Sequence, residues 1–220
     1  MIYLDSAATT LQKPPAVAKA AGWAVNNLAS PGRGGHPSAM AAAGLAYECR
    51  EKAAKLFNVS DVASVVITTS ATHGLNIAIK SMVRRGARVL ISGYEHNAVT
   101  RPLTAVGADI VVAESELFEP EMALHAFETR LAGDISLVIC NHVSNVFGYI
   151  LPTERIAQVC RERGVPLIID ASQSAGVLDI DFAALGAEFI AMPGHKGLYG
   201  PQGTGLLLCK SCPEIGRAHV

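Results

Sequence analysis

The sequence has almost no net charge, no long hydrophobic run and no leader at its start. Its 18 lysines and arginines nearly balance its 19 aspartates and glutamates, which leaves a net charge of -1. Proteins that bind nucleic acid are usually basic, so this balance argues against a nucleic-acid partner. No apolar run approaches the roughly 20 residues of a membrane span. The start, MIYLDSAATT, has neither the basic region nor the apolar region of a signal peptide. We therefore expect a cytoplasmic protein that contacts neither membrane nor nucleic acid.

The cysteines give no sign of a disulfide framework. The five cysteines are an odd number and lie mostly in apolar segments, which suits reduced thiols in the cytoplasm. Cys209-Lys-Ser-Cys212 has the spacing of a redox pair or of half a zinc site, with His219 as a third ligand. A second C-x-x-C is missing, so we predict no metal site. No G-x-G-x-x-G follows the first predicted strand, and Gly200-Pro-Gln-Gly-Thr-Gly205 has other spacing, which disfavours a nicotinamide-binding domain.

What the chain does have is an alternation of short apolar runs with helical segments. Half of its 220 residues are hydrophobic, enough for one sizeable core. Strands separated by helices indicate βαβ units, and hence an α/β fold with a mostly parallel sheet flanked by helices. The predicted helices are 14–29, 38–57, 72–84, 97–106, 120–131 and 152–163. The predicted strands are Val65–Thr68, Arg88–Ile91, Asp109–Val112, Ser136–Cys140, Pro166–Ile169, Glu188–Ala191 and Gly205–Leu208.

Ligands of such sheets bind beyond the carboxyl ends of the strands, so we looked for chemistry directly after each predicted strand. SATHGLN follows the first strand and starts a helix, where free N–H groups bind anions; Ser70 or Thr72 could equally be a plain helix cap. His96 either lies against a flat ligand and moves protons or caps the next helix. Asn145 either contacts a ligand or belongs to a turn.

Two further strand ends carry charged side chains. Asp170 follows the apolar run PLII, where an unpaired carboxylate is costly to bury. It could cap a short helix, but Gln173 three residues later favours a site. Lys196, preceded by His195, lies in a loop rich in Gly and Pro. An anion cradle, a flat ring, a buried carboxylate and a sheltered lysine together predict pyridoxal 5'-phosphate, with Lys196 bonded to the cofactor and Asp170 holding its pyridine nitrogen protonated.

Six segments carry a resemblance to a known family: YLDSAATT, SATHGLN, EHNAV, HVSNVFG, IDASQSAG and GHKGLYGPQGTG. They run from residue 3 to about residue 208, nearly the whole chain. In residues and in order they resemble the cysteine desulfurases, which belong to the class V group of fold-type I pyridoxal-phosphate enzymes. The pair D-x-x-Q and G-H-K is the most specific part of this resemblance.

The resemblance implies a role for each residue around the cofactor ring. Lys196 would hold the cofactor and move protons at the substrate Cα. Asp170 would pair with the pyridinium nitrogen, and Gln173 would hydrogen-bond the phenolic oxygen. His96 would stack on the ring and relay a proton. Asn145 would contact the ring oxygen or the substrate.

It also implies a phosphate site, a substrate wall and a dimer. Thr72 and His195 would bind the phosphate together with backbone groups around Ala71. Ala7 and Ala8, within the first 35 residues, would line the substrate pocket. Because the family builds its site at a homodimer interface, the resemblance implies a homodimer.

The sequence departs from the family in two places. Pro193 stands where the family commonly has a serine that binds the phosphate; Thr204 or Ser174 would have to supply that hydroxyl. The family's catalytic cysteine and the arginine for the substrate carboxylate lie in a C-terminal domain, and none of the five cysteines matches that position. We expect residues 1–213 to form the cofactor-binding large domain. We expect 214–220 to be a non-native tail, because one back-translation contains a common sequencing-adapter string.

The resemblance implies a cysteine desulfurase that converts L-cysteine to L-alanine and passes an enzyme-bound persulfide sulfur to an acceptor protein for iron–sulfur cluster or thio-cofactor assembly. Without the catalytic cysteine the chain itself is expected to be inactive in sulfur transfer. Another class V enzyme, an aminotransferase or a selenocysteine lyase, is the alternative. A non-catalytic interaction domain that keeps the fold is the alternative outside enzymes.

Overall fold

The computed structural model describes residues 2–131 and 133–210 of the chain. The predicted tail 214–220 lies outside the described residues, as do Cys212 and His219. In the described part, the helices are α1 Pro15–Asn27, α2 Pro37–Leu56, α3 Ala71–Met82, α4 Asn97–Val106, α5 Pro120–Arg130, α6 Thr153–Arg163 and α7 Phe182–Leu185, with a 3-10 turn at Val62–Ser64. The strands are β1 Val65–Thr68, β2 Arg88–Ser92, β3 Asp109–Ala113, β4 Leu137–Asn141, β5 Leu167–Asp170, β6 Phe189–Pro193 and β7 Gly205–Cys209.

The strands form one seven-stranded sheet in the order β1-β7-β6-β5-β4-β2-β3. Strand β7 is antiparallel to both of its neighbours, and every other pair is parallel. The predicted α/β fold with a mostly parallel sheet is therefore confirmed. Because β7 runs against both β1 and β6, β1 points the same way as β6. The carboxyl ends of β1, β2, β4, β5 and β6 thus meet at one edge of the sheet.

The central strands are buried on both faces, which explains their continuous apolar sequences. In β4, Val138 and Cys140 belong to a core that also contains Phe57, directly after α2, and Phe127 of α5. The alternate residues of β4 pack on the other face, in a core with Leu75 of α3. Helices on both faces leave the strand ends as the place where polar side chains can gather.

The predicted boundaries differ from the structure mainly at the strand ends. Strands β2, β4 and β5 each run one residue further than the apolar pattern indicates and include Ser92, Asn141 and Asp170. Asn141 and Asp170 are register partners in the sheet. Backbone pairing does not depend on side-chain polarity, so the ladder continues where the hydrophobic signal stops. Helix α7 was not predicted, because four residues are too short for a periodic pattern.

The N-terminal segment lies across the edge of the sheet that carries the strand ends. The hydroxyls of Thr9 and Thr10 donate to the carbonyl of His195 at 3.0 and 3.1 Å. The backbone N–H of Thr10 donates to the same carbonyl. Helix α1, which follows, has no buried side chain. Among the described residues, no helix combines the length and the apolar composition needed to cross a membrane.

Candidate active site

The strand ends enclose a cavity of about 310 Å³. Every residue predicted for the site from the sequence lines it: Ala7, Ala8, Ala71, Thr72, His96, Asn145, Asp170, Gln173, His195 and Lys196. They come from five separate strand ends and from the N-terminal segment. The sheet topology therefore brings together residues that are up to 189 positions apart in the chain.

One end of the cavity is the start of helix α3. Ser70 caps this helix, because its Oγ accepts a hydrogen bond from the backbone N–H of His73 at 3.1 Å. Of the two residues considered as the helix cap, Ser70 is therefore the one that caps α3. The preceding N–H groups, those of Ala71 and Thr72, have no hydrogen-bond acceptor among the described residues. They leave a partial positive charge at the cavity wall, which suits an anion such as a phosphate.

Asp170 is the buried carboxylate of the cavity, with 4% of its surface exposed. Its Oδ1 accepts hydrogen bonds from the backbone N–H and the hydroxyl of Ser172. Burial raises the pKa of Asp170, whereas the bonds from Ser172 and the neighbouring His96 and Lys196 oppose that rise. Because Ser172 occupies Oδ1, Oδ2 is the oxygen left for a ligand. A cation or protonated ring nitrogen beside it would offset the cost of burying the charge.

Lys196 lies half-buried in the loop after β6, and its amine makes no hydrogen bond to another described residue. Burial lowers the pKa of its amine, and the nearby Asp170 partly restores it. A larger share of this amine is consequently neutral at pH 7 than for a solvated lysine. A neutral amine is the form that attacks a carbonyl carbon.

Two glycines bring Lys196 and Asp170 together by letting their loops touch. Gly176, after β5, has a φ of +81°, and a Cβ there would lie 2.5 Å from the carbonyl oxygen of Gly197. A Cβ on Gly197 would in turn collide with the carbonyl oxygen of Ala175. The contact is therefore backbone against backbone, and neither position has room for a side chain.

His96 lies at the N-terminus of α4 and lines the cavity. Its Nδ1 accepts a hydrogen bond from the backbone N–H of Ala98 at 3.1 Å, so the ring caps the helix. The two alternatives considered for His96 are thus compatible with each other. Because Nδ1 must be unprotonated to accept this bond, the neutral ring carries its proton on Nε2.

The N-terminal segment closes one side of the cavity. The carbonyl of Ala7 accepts a hydrogen bond from Gln173 Nε2 at 3.1 Å. His195 Nδ1 lies 3.1 Å from the hydroxyl of Thr9. Burial and the charges of Lys196 and Lys13 lower the pKa of His195. The segment is therefore joined to the loops after both β5 and β6.

A second cavity of about 380 Å³ adjoins the first one and shares Ala7, Asn145, Gln173 and Lys196 with it. Tyr199 also lines it, and this residue has an unusual φ of +58°. Lys196 is thus accessible from two sides. The first cavity contains the anion site and the carboxylate, which leaves the second one as the side where a substrate could approach.

Several lining residues were not predicted. Asn141 is the main one: it is buried, lies beside Asp170 in the sheet, and donates from Nδ2 to the carbonyl of Tyr94 at 2.7 Å. Its position directly at the end of β4 was the available signal, since Asp170 was recognised by the same placement. Pro193 lines the cavity, whereas neither Thr204 nor Ser174 does. Thr204 donates instead to the carbonyl of Pro201.

Comparison with known protein families agrees with this geometry. The family model described as "Aminotransferase class-V" matches residues 2–214. The chain belongs to the class V aminotransferase family. The seven-stranded, mostly parallel sheet flanked by helices agrees with this membership.

The relatives of this class V chain include cysteine desulfurases. A protein described as a probable cysteine desulfurase from Methanothermobacter thermautotrophicus is 31% identical over 217 residues, which cover 96% of this chain and 53% of that protein. The apo structure of a cysteine desulfurase from Thermococcus onnurineus superposes with a TM-score of 0.85 at 28% identity, over 96% of this chain and 54% of that one. The cystine C–S lyase C-DES, solved with its product cysteine persulfide, gives 0.85 at 25% identity, with 95% and 56% covered. The chain thus spans about half the length of these relatives.

Proposed function

We propose that this chain is the cofactor-binding part of a pyridoxal 5'-phosphate-dependent cysteine desulfurase, which converts L-cysteine to L-alanine and transfers the sulfur. The observation that carries the proposal is the joint placement of Lys196, Asp170 and the uncapped start of α3 on one cavity. The relatives that are cysteine desulfurases support the choice of reaction within class V.

The residues of the cavity fit the cofactor in three respects. The N–H groups of Ala71 and Thr72 offer donors for a phosphate. The buried Asp170 needs a positive partner, which a protonated pyridine nitrogen supplies. Lys196 lines the same cavity and has an amine whose pKa is lowered by burial. The bound cofactor supplies an electron sink for the charge that develops at the substrate Cα.

Each side chain then has a stated task. Lys196 holds the cofactor and moves the proton at Cα, since it is reached from both cavities. His96 presents its ring to the cavity with Nε2 protonated, and acts as a second proton carrier. Gln173 and Asn145 offer amide groups for the ring oxygen and the substrate. His195 and Thr72 complete the phosphate contacts.

The substrate side is formed by the N-terminal segment. Ala7 and Ala8 keep the wall of the cavity small, which suits an amino acid of the size of cysteine. The sulfur step requires a nucleophilic cysteine, and no cysteine lines either cavity in the described residues. The proposal therefore places the persulfide-forming cysteine outside the described part of the chain.

The proposal extends to compartment and partners. Cys49, Cys140 and Cys160 are free thiols, which supports a reducing cytoplasm. Helix α1 buries no side chain within the chain, which supports a homodimer that covers it. A sulfur-acceptor protein would complete the reaction.

The reaction is tested by incubating L-cysteine and a thiol reductant with a protein that contains both this chain and the persulfide-forming cysteine; this chain alone should release no sulfide. We expect L-alanine and sulfide in equal amounts, and no product from Lys196→Ala. Lys55→Ala, an exposed lysine of α2, is the matched control and should behave as wild type.

Other products would identify another class V chemistry. A requirement for a keto acid, with no sulfide, would favour an aminotransferase. Release of alanine from selenocysteine but not from cysteine would favour a selenocysteine lyase. Pyruvate and ammonia in place of alanine would favour a C–S lyase, the activity named for the structural neighbour C-DES. If no product forms at all, and Lys196→Ala leaves the protein's function in the cell unchanged, an interaction domain would be favoured.

A further inference from the structure

A second carboxyl group is buried behind the cavity, on the residue that precedes His96. Glu95 is half-buried as a whole, but its Oε2 is shielded from solvent and has no hydrogen-bond partner among the described residues. Its Oε1 accepts a hydrogen bond from the hydroxyl of Ser92 at 2.5 Å. The same oxygen accepts one from the backbone N–H of Asn141 at 2.8 Å.

These bonds join the ends of two strands to the loop that carries His96. Ser92 is the last residue of β2, and Asn141 is the last residue of β4. The side chain of Asn141 returns to the same loop by donating to the carbonyl of Tyr94 at 2.7 Å. Glu95 therefore bonds the loop 93–96 to the ends of β2 and β4, and the side chain of Asn141 bonds β4 to the same loop. His96 lies at the end of this fastened loop.

The surroundings of Glu95 disfavour a negative charge. A buried carboxylate with one unpaired oxygen is costly, and a second carboxylate, Asp170 at the end of β5, lies close enough to repel it. Burial raises the pKa of Glu95 to about 8, the bond from Ser92 opposes the rise, and the charge of Asp170 adds to it. Cys140 on β4 also faces Glu95, and its own raised pKa keeps it uncharged. His96 and Lys196 lower the pKa of Asp170, and neither is among the main influences on the pKa of Glu95.

We propose that Glu95 is a positioning residue that works as a neutral carboxylic acid, holding the His96 loop against the end of β4 and leaving the negative charge of the cavity on Asp170. This inference rests on the proposed function, because it assigns Glu95 a part in placing His96 and Asp170 for the cofactor. Glu95 itself does not line the cavity.

Glutamine is the decisive replacement, because Gln has the shape of a protonated Glu and cannot ionise. Glu95→Gln should bind pyridoxal 5'-phosphate within about threefold of wild type. Glu95→Ala, which removes the acceptor of both bonds, should weaken that binding at least tenfold, which corresponds to about 1.4 kcal/mol. Glu116→Gln, on an exposed segment, is the matched control.

A second readout needs no cofactor. Unfolding by urea is followed from pH 5 to pH 9 for wild type, Glu95→Gln and Glu116→Gln. In the unfolded chain Glu95 ionises near its ordinary value of 4.5, whereas the folded chain keeps the proton to about 8. Wild type should therefore lose stability relative to Glu95→Gln as the pH rises from 5 to 8, and run parallel to it above that. Glu116→Gln should stay parallel to wild type throughout.

The two readouts separate the possible failures. If the unfolding stability of wild type and that of Glu95→Gln change in parallel from pH 5 to pH 9, Glu95 does not stay protonated in the folded chain, and that part of the proposal is wrong. Loss of cofactor binding in a folded Glu95→Gln, while wild type binds, would overturn the positioning role and leave the proposed function standing. If wild type itself binds no cofactor, the proposed function fails and the positioning role fails with it, whereas the pH profile still decides whether Glu95 is neutral. Should Glu95→Ala not fold, Glu95→Gln alone decides both points.

Discussion

At the scale of single residues, the cavity is organised by which groups carry charge. Asp170 and Glu95 are both buried carboxyls that accept two bonds on one oxygen, but His96 and Lys196 lower the pKa of Asp170, whereas the charge of Asp170 raises that of Glu95. The negative charge therefore falls on Asp170. The start of α3 and Lys196 supply the positive side of the same cavity.

Replacement of Asp170 by asparagine tests the role of that charge. Asp170→Asn keeps the shape but removes the partner of the pyridine nitrogen. Breaking a buried charge pair costs about 3–5 kcal/mol, so we expect cofactor affinity to fall by at least about 100-fold in an absorbance titration. Asp179→Asn, an exposed aspartate on the following loop, should change it by less than about twofold. Equal affinities for wild type and Asp170→Asn would exclude this pairing.

The lowered pKa of Lys196 makes a prediction about its reactivity. Burial favours the neutral amine, so the rate of acylation of Lys196 should reach half its maximum at a lower pH than that of the exposed Lys55. Competitive labelling of the cofactor-free protein, followed by peptide mass analysis, measures both lysines in one sample. Identical pH profiles would show that Lys196 is as solvated as Lys55.

At the scale of secondary-structure elements, the site depends on two loops that touch and on one segment that crosses them. Gly176 and Gly197 allow the loops after β5 and β6 to meet. Gly197→Ala places a methyl group against the carbonyl of Ala175, and overpacking of this kind costs about 1–3 kcal/mol. We expect a lower unfolding midpoint and weaker cofactor binding. Gly35→Ala, where no atom lies within 4 Å of the new methyl group, is the control; an equal effect there would contradict the packing argument.

The N-terminal segment is held by hydroxyl groups. The variant with both Thr9→Val and Thr10→Val keeps the side-chain shape and removes every bond of the two hydroxyls, including the two to the carbonyl of His195 and the contact of Thr9 with His195 Nδ1. Each bond contributes about 1 kcal/mol, so the segment should detach more often and be cleaved several times faster by a protease. Thr129→Val, on the exposed end of α5, serves as the control. Unchanged cleavage would mean that other contacts hold the segment.

Most of the fold and much of the cavity follow from sequence patterns, and particular residues show why the rest does not. Helix α4 and strand β1 lie where the periodicity predicts them, and Asp170 and Lys196 line one cavity because parallel strands end at one edge. Asn141 was missed because its polar side chain looked like the start of a turn. The state of Glu95 depends on Asn141, 46 residues away, which becomes its neighbour only through the pairing of β2 with β4.

At the scale of the whole molecule, the exposed surface of the N-terminal helices bears on assembly. Helix α1 has no buried side chain, and Trp23 within it is 50% exposed. We expect the protein to sediment at twice the mass of its chain, with Trp23 fluorescence shifted to shorter wavelength as the concentration rises. A monomer with unchanged fluorescence at high concentration would contradict the proposed homodimer.

The account depends most on Lys196 as the lysine that holds the cofactor. The most direct measurement is borohydride reduction of the protein mixed with pyridoxal 5'-phosphate, followed by mass spectrometric mapping of the modified lysine. We predict that the added mass lies on Lys196 and is absent in Lys196→Ala, whereas Lys55→Ala is modified as wild type. Modification of exposed lysines in proportion to their accessibility, with Lys196 unlabelled, would contradict the central claim.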